Sequence, residues 1–143
     1  MTKVVFKLLD TEFLRIHVKE FIEMCQRNMN DEYWDESNFL TELKGKWQYS
    51  FYVTDSSLTI QAFIIASEKD QSVHIHKFVV DKPFQSEGLG SKMLDHILQQ
   101  SSKPITLKVR NDNERAIAFY KQKGFVADGI QNDMYKMIRP LAI

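Results

Sequence analysis

One stretch constrains this chain more than any other: Val79-Val80-Asp81-Lys82-Pro83-Phe84-Gln85-Ser86-Glu87-Gly88-Leu89-Gly90-Ser91. An apolar strand ends at Val80 and a short turn carries two glycines. An amphipathic run marked by Leu89, Met93, Leu94, Ile97 and Leu98 then begins. A strand that feeds a helix through such a turn aims several main-chain N–H groups at one point. The first amides of a helix have no intrahelical acceptor and lie at the positive end of its dipole, so the point suits a phosphate. The turn therefore predicts a phosphorylated ligand.

Spacing excludes two nucleotide-binding classes. A dinucleotide fingerprint needs Gly-x-Gly-x-x-Gly, but residue 93 is Met. A Walker loop needs Gly-Lys-Ser/Thr, whereas Gly90-Ser91-Lys92 has the order reversed.

The remaining chain reads as one mixed α/β domain over residues 1–143. Val4 to Leu9 is strand-like, and Asp10 and Thr11 are good helix caps. Leu14, Val18, Phe21, Ile22 and Cys25 recur at helical spacing. Asn28 to Asp31 signals a loop, and Glu32 to Leu43 reads as a second helix that bears Trp34 and Phe39 and closes at Gly45. Three strand-like runs follow, 49–54, 58–66 and 73–80, then the helix after the glycine turn. Ile105, Leu107 and Val109 alternate with polar residues as a half-buried strand does. Residues 113–123 form a helix stopped by Gly124, and 125–130 and 134–138 are a last pair of strands. The expected order is β-α-α-β-β-β-α-β-α-β-β, with about four helices.

Lys plus Arg equals Asp plus Glu at 19 each, which argues against a general nucleic-acid binder. Cys25 is the single cysteine, so an intrachain disulfide and a cysteine-rich zinc site are both excluded. His17 and His96 fall on different helices from each other and from the His74/His76 strand, so no metal is expected. No apolar run approaches the ~20 residues of a membrane span, and no signal-peptide pattern opens the chain. The expectation is a cytoplasmic protein.

Two motifs point to a family. Gln85-Ser86-Glu87-Gly88-Leu89-Gly90, after a strand ending in Val80, resembles the Arg/Gln-x-x-Gly-x-Gly/Ala pyrophosphate loop of the GNAT superfamily of acetyl-CoA-dependent N-acetyltransferases. Asn113-Glu114-Arg115-Ala116-Ile117-Ala118-Phe119-Tyr120, then Gly124-Phe125, resembles that family's Asn-x-x-Ala-x-x-φ-Tyr…Gly-Phe segment. The motifs stand in the family's order, one helix and one strand apart. Two departures occur: Gln85-Ser86 replaces the frequent Arg-Gly, and Pro83 stands one position later than usual. Neither removes an amide.

The resemblance implies a mostly antiparallel sheet of about seven strands, splayed at its centre, in a GNAT fold. Acetyl-CoA would be the co-substrate, with its pantetheine arm held by backbone groups of Val79 and Val80. Its pyrophosphate would sit at Gln85, Ser86 and the amides of Glu87, Gly88, Leu89, Gly90 and Ser91. Asn113 would face the pantetheine. Attack of a neutral amine on a thioester needs a proton acceptor, an oxyanion donor and an acid for the thiolate. The Val80 amide is the candidate donor, and Tyr120 matches the family's general acid.

His74 and His76 lie two apart on a strand and share a face, where arylalkylamine N-acetyltransferases carry a His-x-His proton relay. Water reached through backbone carbonyls is the alternative base. Lys108 stands where ribosomal-protein N-terminal acetyltransferases carry a carboxylate, which counts against a peptide acceptor. The segment Asn30-Asp31-Glu32-Tyr33-Trp34-Asp35-Glu36 corresponds to the family's acceptor wall, with Tyr33 and Trp34 as candidate substrate contacts. The expected acceptor is a small amine, including polyamine-like compounds. A protein lysine, a protein N-terminus and a non-catalytic acyl-CoA-binding module are the alternatives. A homodimer is an option the family offers.

Overall fold

The computed structural model describes residues 4–28 and 33–141. The order is β1 (Phe6–Leu8), α1 (Thr11–Asn28), α2 (Glu36–Leu40), α3 (Lys46–Tyr49), β2 (Phe51–Thr54), β3 (Ile60–Lys69) and β4 (Ser72–Val80). A 3-10 turn at Lys82–Phe84 follows, then α4 (Leu89–Gln100), β5 (Ile105–Arg110), α5 (Glu114–Gln122), β6 (Val126–Gln131) and β7 (Met134–Arg139). The strands form one seven-stranded sheet in the order β1-β2-β3-β4-β5-β7-β6. Every pairing is antiparallel except β4 with β5.

Two apolar clusters sandwich the sheet, because alternate strand residues point to opposite faces. On one face Ala62, Ile64 and Ala66 meet Met93, Leu94 and Ile97 of α4, with Ile117 and Tyr120 of α5 beside them. On the other, Phe63 and Ile65 meet Leu14, Val18 and Phe21 of α1 and Phe39 of α2. Phe21 and Phe63 pack edge to face with centroids 4.5 Å apart. Asp10 fulfils its cap role, its Oδ1 accepting from the Phe13 amide at 2.7 Å.

The structure corrects the second helix. Trp34 and Leu43 lie outside any helix; of residues 33–43 only α2 is helical, and the separate α3 follows beyond them, so the described residues hold five α-helices where about four were expected. Capping explains the difference. Asp35 accepts from the Asn38 amide at 2.9 Å and Asn38 Oδ1 accepts from the Asp35 amide at 2.9 Å, so α2 starts only at Glu36. Its end is closed by Lys46, a fully buried residue whose Nζ donates to the carbonyls of Phe39 and Thr41. Burial pushes that amine down to about 8. Gly45 does not stop the earlier helix; at φ 73° it starts the next one, a left-handed conformation that glycine adopts without strain. Tyr49, expected in a strand, belongs to α3.

The centre of the sheet is open. β4 and β5 pair only at Val73–Ile105 and His74–Thr106. Immediately beyond, the register of β4 against β3 slips: Ile65 faces Lys77 but Ala66 faces Ile75, leaving His76 as an extra residue. Such a bulge bends its strand, and β4 leaves β5 at that point.

Candidate active site

The split is lined by both sequence motifs. On one side, a cavity of about 620 Å³ is walled by Phe78 and Val80 of β4, Gly88 and Gly90 of the turn, and Asn113 and Tyr120 of α5. The turn is shaped by two positive-φ residues, Ser86 at 69° and Gly88 at 81°. Gly88 caps α4 without a side-chain acceptor, so the first-turn amides from Leu89 onward face the cavity mouth with their charge unsatisfied by the helix. Leu89 itself is buried in the core and Glu87 is exposed, so their contribution is backbone alone.

The turn is tied to α1. Arg27 donates two hydrogen bonds to Asp81, at 2.9 and 2.8 Å, and Asn28 Nδ2 adds a third at 2.8 Å. The guanidinium holds the Asp81 carboxyl down at about 2. Gln85 Nε2 donates to the Val80 carbonyl at 2.8 Å and to Asn28 Oδ1 at 3.1 Å. Gln85 thus braces the loop from within.

Hydrogen-bond alternation decides which backbone groups face the split. The Asp81 amide donates to the Gln61 carbonyl at 2.9 Å, and the register places Phe63 against Val79 in phase with that pair. Val79 therefore shares its bonds with β3, while Phe78 and Val80 turn theirs toward β5. Phe78, Val79 and Val80 all border the first chamber, and of the expected pair it is Val80 whose backbone groups turn away from β3. Since Gln85 occupies the Val80 carbonyl, the Val80 amide is the donor aimed into the gap.

A second cavity continues between the parted strands, bounded by Ile75, His76, Phe78, Val109, Asn113 and Tyr120. A third, on the far face, is bounded by Trp34, His74, His76, Lys77 and Lys108. Neighbouring chambers share lining residues, Tyr120 bordering the first two and His76 the last two, so the three adjoin one another from the glycine turn to the far face.

His74 and His76 do share a face, with ring centroids 4.9 Å apart. His76 Nε2 lies 2.7 Å from Ser67 Oγ, and His74 Nδ1 lies 2.7 Å from Thr106 Oγ1. Burial, then the neighbouring His76 and the charges of Lys69, Lys108 and Lys136, push the His74 imidazole down to about 4. It is neutral at pH 7. The unfolded chain protonates near pH 6.5 and the folded chain does not, so stability is full above 6.5 and drains away as pH falls toward 4. Across that window the loss is about 3 kcal/mol. Urea melts at pH 7 and pH 4.5 will show it, and His74→Gln will flatten the difference.

Tyr120 packs against Phe119 and Phe125, with centroids 5.4 and 5.6 Å away. Asn113 caps α5, its Oδ1 accepting from the Ala116 amide at 3.2 Å, and the residue lines the first two chambers. Trp34 is buried against Phe39 and borders the far chamber; Tyr33 is exposed and borders none of the three. Asp35 is consumed by its cap, and Asn30, Asp31 and Glu32 lie outside the described residues. Sequence reasoning missed Arg115 and Phe119, which line the first chamber one helical turn apart. Their signal was present, since both fall inside the Asn-to-Tyr motif. It missed Ser67 and Thr106 because only strand register brings them to the histidines. Among the described residues no cluster of potential metal ligands forms, and no helix is long and apolar enough to cross a membrane.

Residues 11–125 match the sequence model of the acetyltransferase (GNAT) family. The chain belongs to that family. It is an N-acetyltransferase that uses acetyl-CoA. Among curated relatives, the [ribosomal protein bS18]-alanine N-acetyltransferase of Escherichia coli K12 is 28% identical over 106 residues, covering 71% of this chain and 70% of that one. Ard1 from Thermoplasma volcanium superposes with a TM-score of 0.79 at 24% identity, over 98% of this chain and 99% of that one. Arabidopsis thaliana Naa50, in complex with the bisubstrate analogue CoA-Ac-MVNAL, superposes with a TM-score of 0.73 at 18% identity, over 94% and 96%. At these identities the two superpositions establish the GNAT fold.

Proposed function

We propose that this GNAT enzyme moves the acetyl group to the primary amine of a small molecule, by direct attack within a ternary complex. The observation that carries the reading is the run of adjoining chambers from the glycine turn to the far face of the sheet. Acetyl-CoA enters from the glycine turn, its pyrophosphate on the amides of Glu87 to Ser91 and its pantetheine arm against Phe78 and Val80 as an added strand. The acceptor enters from the far chamber. The two meet where Phe78, Tyr120 and His76 border the gap.

The amine nitrogen attacks the thioester carbonyl carbon, and the Val80 amide steadies the resulting oxyanion. As the C–S bond breaks, the sulfur takes the Tyr120 hydroxyl proton. The amine gives up its proton through His76, polarised by Ser67, or through water in the chambers.

A second reading is favoured by the relative named above, an N-acetyltransferase of a ribosomal-protein alanine: a peptide N-terminus would take the same path. Lys108, which lines the far chamber, stands where such enzymes carry a carboxylate and cannot accept a proton when charged, which weighs against a peptide N-terminus there. Free-CoA release measured over matched amines and peptides decides between them. Turnover of small amines is expected; release with peptides only would replace the first reading by the second. In the same assay His76→Ala is expected to shift the acidic limb of the rate profile. An unchanged limb would leave water as the base.

A further inference from the structure

The far chamber is charged in a way the transfer reaction alone does not require. The apolar cluster beneath α1 and α2 draws on β2, β3 and β4, and among the described residues on none of β5 or β7. Among the described residues that half of the sheet face carries no apolar cluster, and beside the exposed Val126 and Gln131 of β6 its exposed residues on β5 and β7 are basic. Lys108 on β5 stands directly opposite Lys136 on β7, and both are exposed. Like charges placed opposite each other on one face of a ladder repel. Lys69 comes from the end of β3, and the charges of all three lysines bear on the His74 ring. Two further cations border the chamber: Lys77, whose amine lies 5.3 Å from the centre of the Trp34 ring, and Arg110, which is paired with Asp112 at 3.2 Å. Among the described residues no acidic side chain lines this cavity of about 500 Å³. The whole chain is electrically balanced, so this concentration of one sign is local.

We propose that the basic strip at the edge of this chamber, where Lys108 lines it and Lys136 stands beside Lys108 just outside its lining, is an anion subsite, and that the acceptor carries, beside its amine, a carboxylate or phosphate that bridges Lys108 and Lys136. The inference rests on the transferase reading above and names the substrate class. Cross-strand neighbours have Cβ atoms about 5 Å apart, so both amines reach one anionic group. Such a group relieves their repulsion and draws the acceptor into the chamber. The amine end then points along the face to His76, at the wall shared with the reacting chamber. Thr106 holds the neutral His74 ring between the two ends. A polycation meets repulsion on the same strip, which turns the expectation of a polyamine-like acceptor into that of an amino acid or a phosphorylated amine.

The test uses matched amines on the CoA-loaded protein: O-phosphoethanolamine against ethanolamine, and β-alanine against β-alaninamide. Calorimetry reads binding and free CoA reads turnover. Tenfold or tighter binding of the anionic member is expected in at least one pair, and the pair that responds tells phosphate from carboxylate. Lys108→Gln combined with Lys136→Gln should abolish the difference, with acetyl-CoA affinity unchanged. Equal binding within both pairs, or a preference that survives the double substitution, overturns the subsite. Turnover without preference would leave the transferase reading intact; preference without turnover would leave the subsite and remove the small-amine reading.

Discussion

Tyr120→Phe is expected to lower kcat by about 10²–10⁴-fold, the range a positioned proton donor contributes, with acetyl-CoA affinity nearly unchanged. The split in effect follows from where the side chain sits. Its ring packs between Phe119 and Phe125 on the inner face of α5, and phenylalanine keeps that packing. Only the hydroxyl is lost, from a residue that lines both the first and the second chamber. A thiolate leaving into a partly desolvated gap is poorly stabilised without a donor, so the loss falls on the step in which the C–S bond breaks. Steady-state CoA release gives kcat, and thermal shift with acetyl-CoA gives affinity. Equal turnover would remove the acid role from Tyr120. A parallel collapse of affinity would make it a binding residue instead.

The largest effect on stability is expected at Phe39→Ala, a loss of about 3–5 kcal/mol. Phe39 is fully buried and touches three aromatic rings: Phe21 at 6.2 Å, Phe63 at 6.1 Å and Trp34 at 5.1 Å between centroids. Alanine would leave a ring-sized cavity between α1, α2 and β3, in a layer anchored by the α2 end that Lys46 caps. Against a typical total of about 5–15 kcal/mol the loss is severe, and a fall in Tm of roughly 10–15 °C follows for a domain of this size. Function should respond too. Trp34 loses its edge-to-face support and with it the fixed wall of the far chamber, so KM for the acceptor should rise while KM for acetyl-CoA holds. Chemical melts and two-substrate kinetics check both halves. An acceptor KM that stays put would show that Trp34 is held by the sheet alone.

The fold was largely legible because its signals are short in range. The alternation along Ile105–Arg110, the helical spacing of Leu14, Val18 and Phe21, and the strand–glycine–helix junction at Val80–Ser91 each lie within a dozen residues. The segment after α1 was less legible. Asp35 and Asn38 cap each other three residues apart, a signal present in the sequence but outweighed there by the apolar spacing of Trp34, Phe39 and Leu43. The buried Lys46 could not be anticipated, since its acceptors are carbonyls left over by a helix end that had first to be located.

The site divides the same way. The sequence alone marked the parts that line the first chamber: a glycine turn at a helix start, Tyr120 on a later helix, and the end of a strand. These follow from local backbone geometry, and local geometry is written in neighbouring residues. Which amide faces the gap, what each histidine leans on, and the meeting of Lys108 with Lys136 were decided only by the tertiary structure. Each depends on strand register. A one-residue bulge at His76 or a shift between β5 and β7 changes which side chains face one another without altering any local pattern, so residues 9 to 32 positions apart in the chain acquire a shared role only once the sheet has formed.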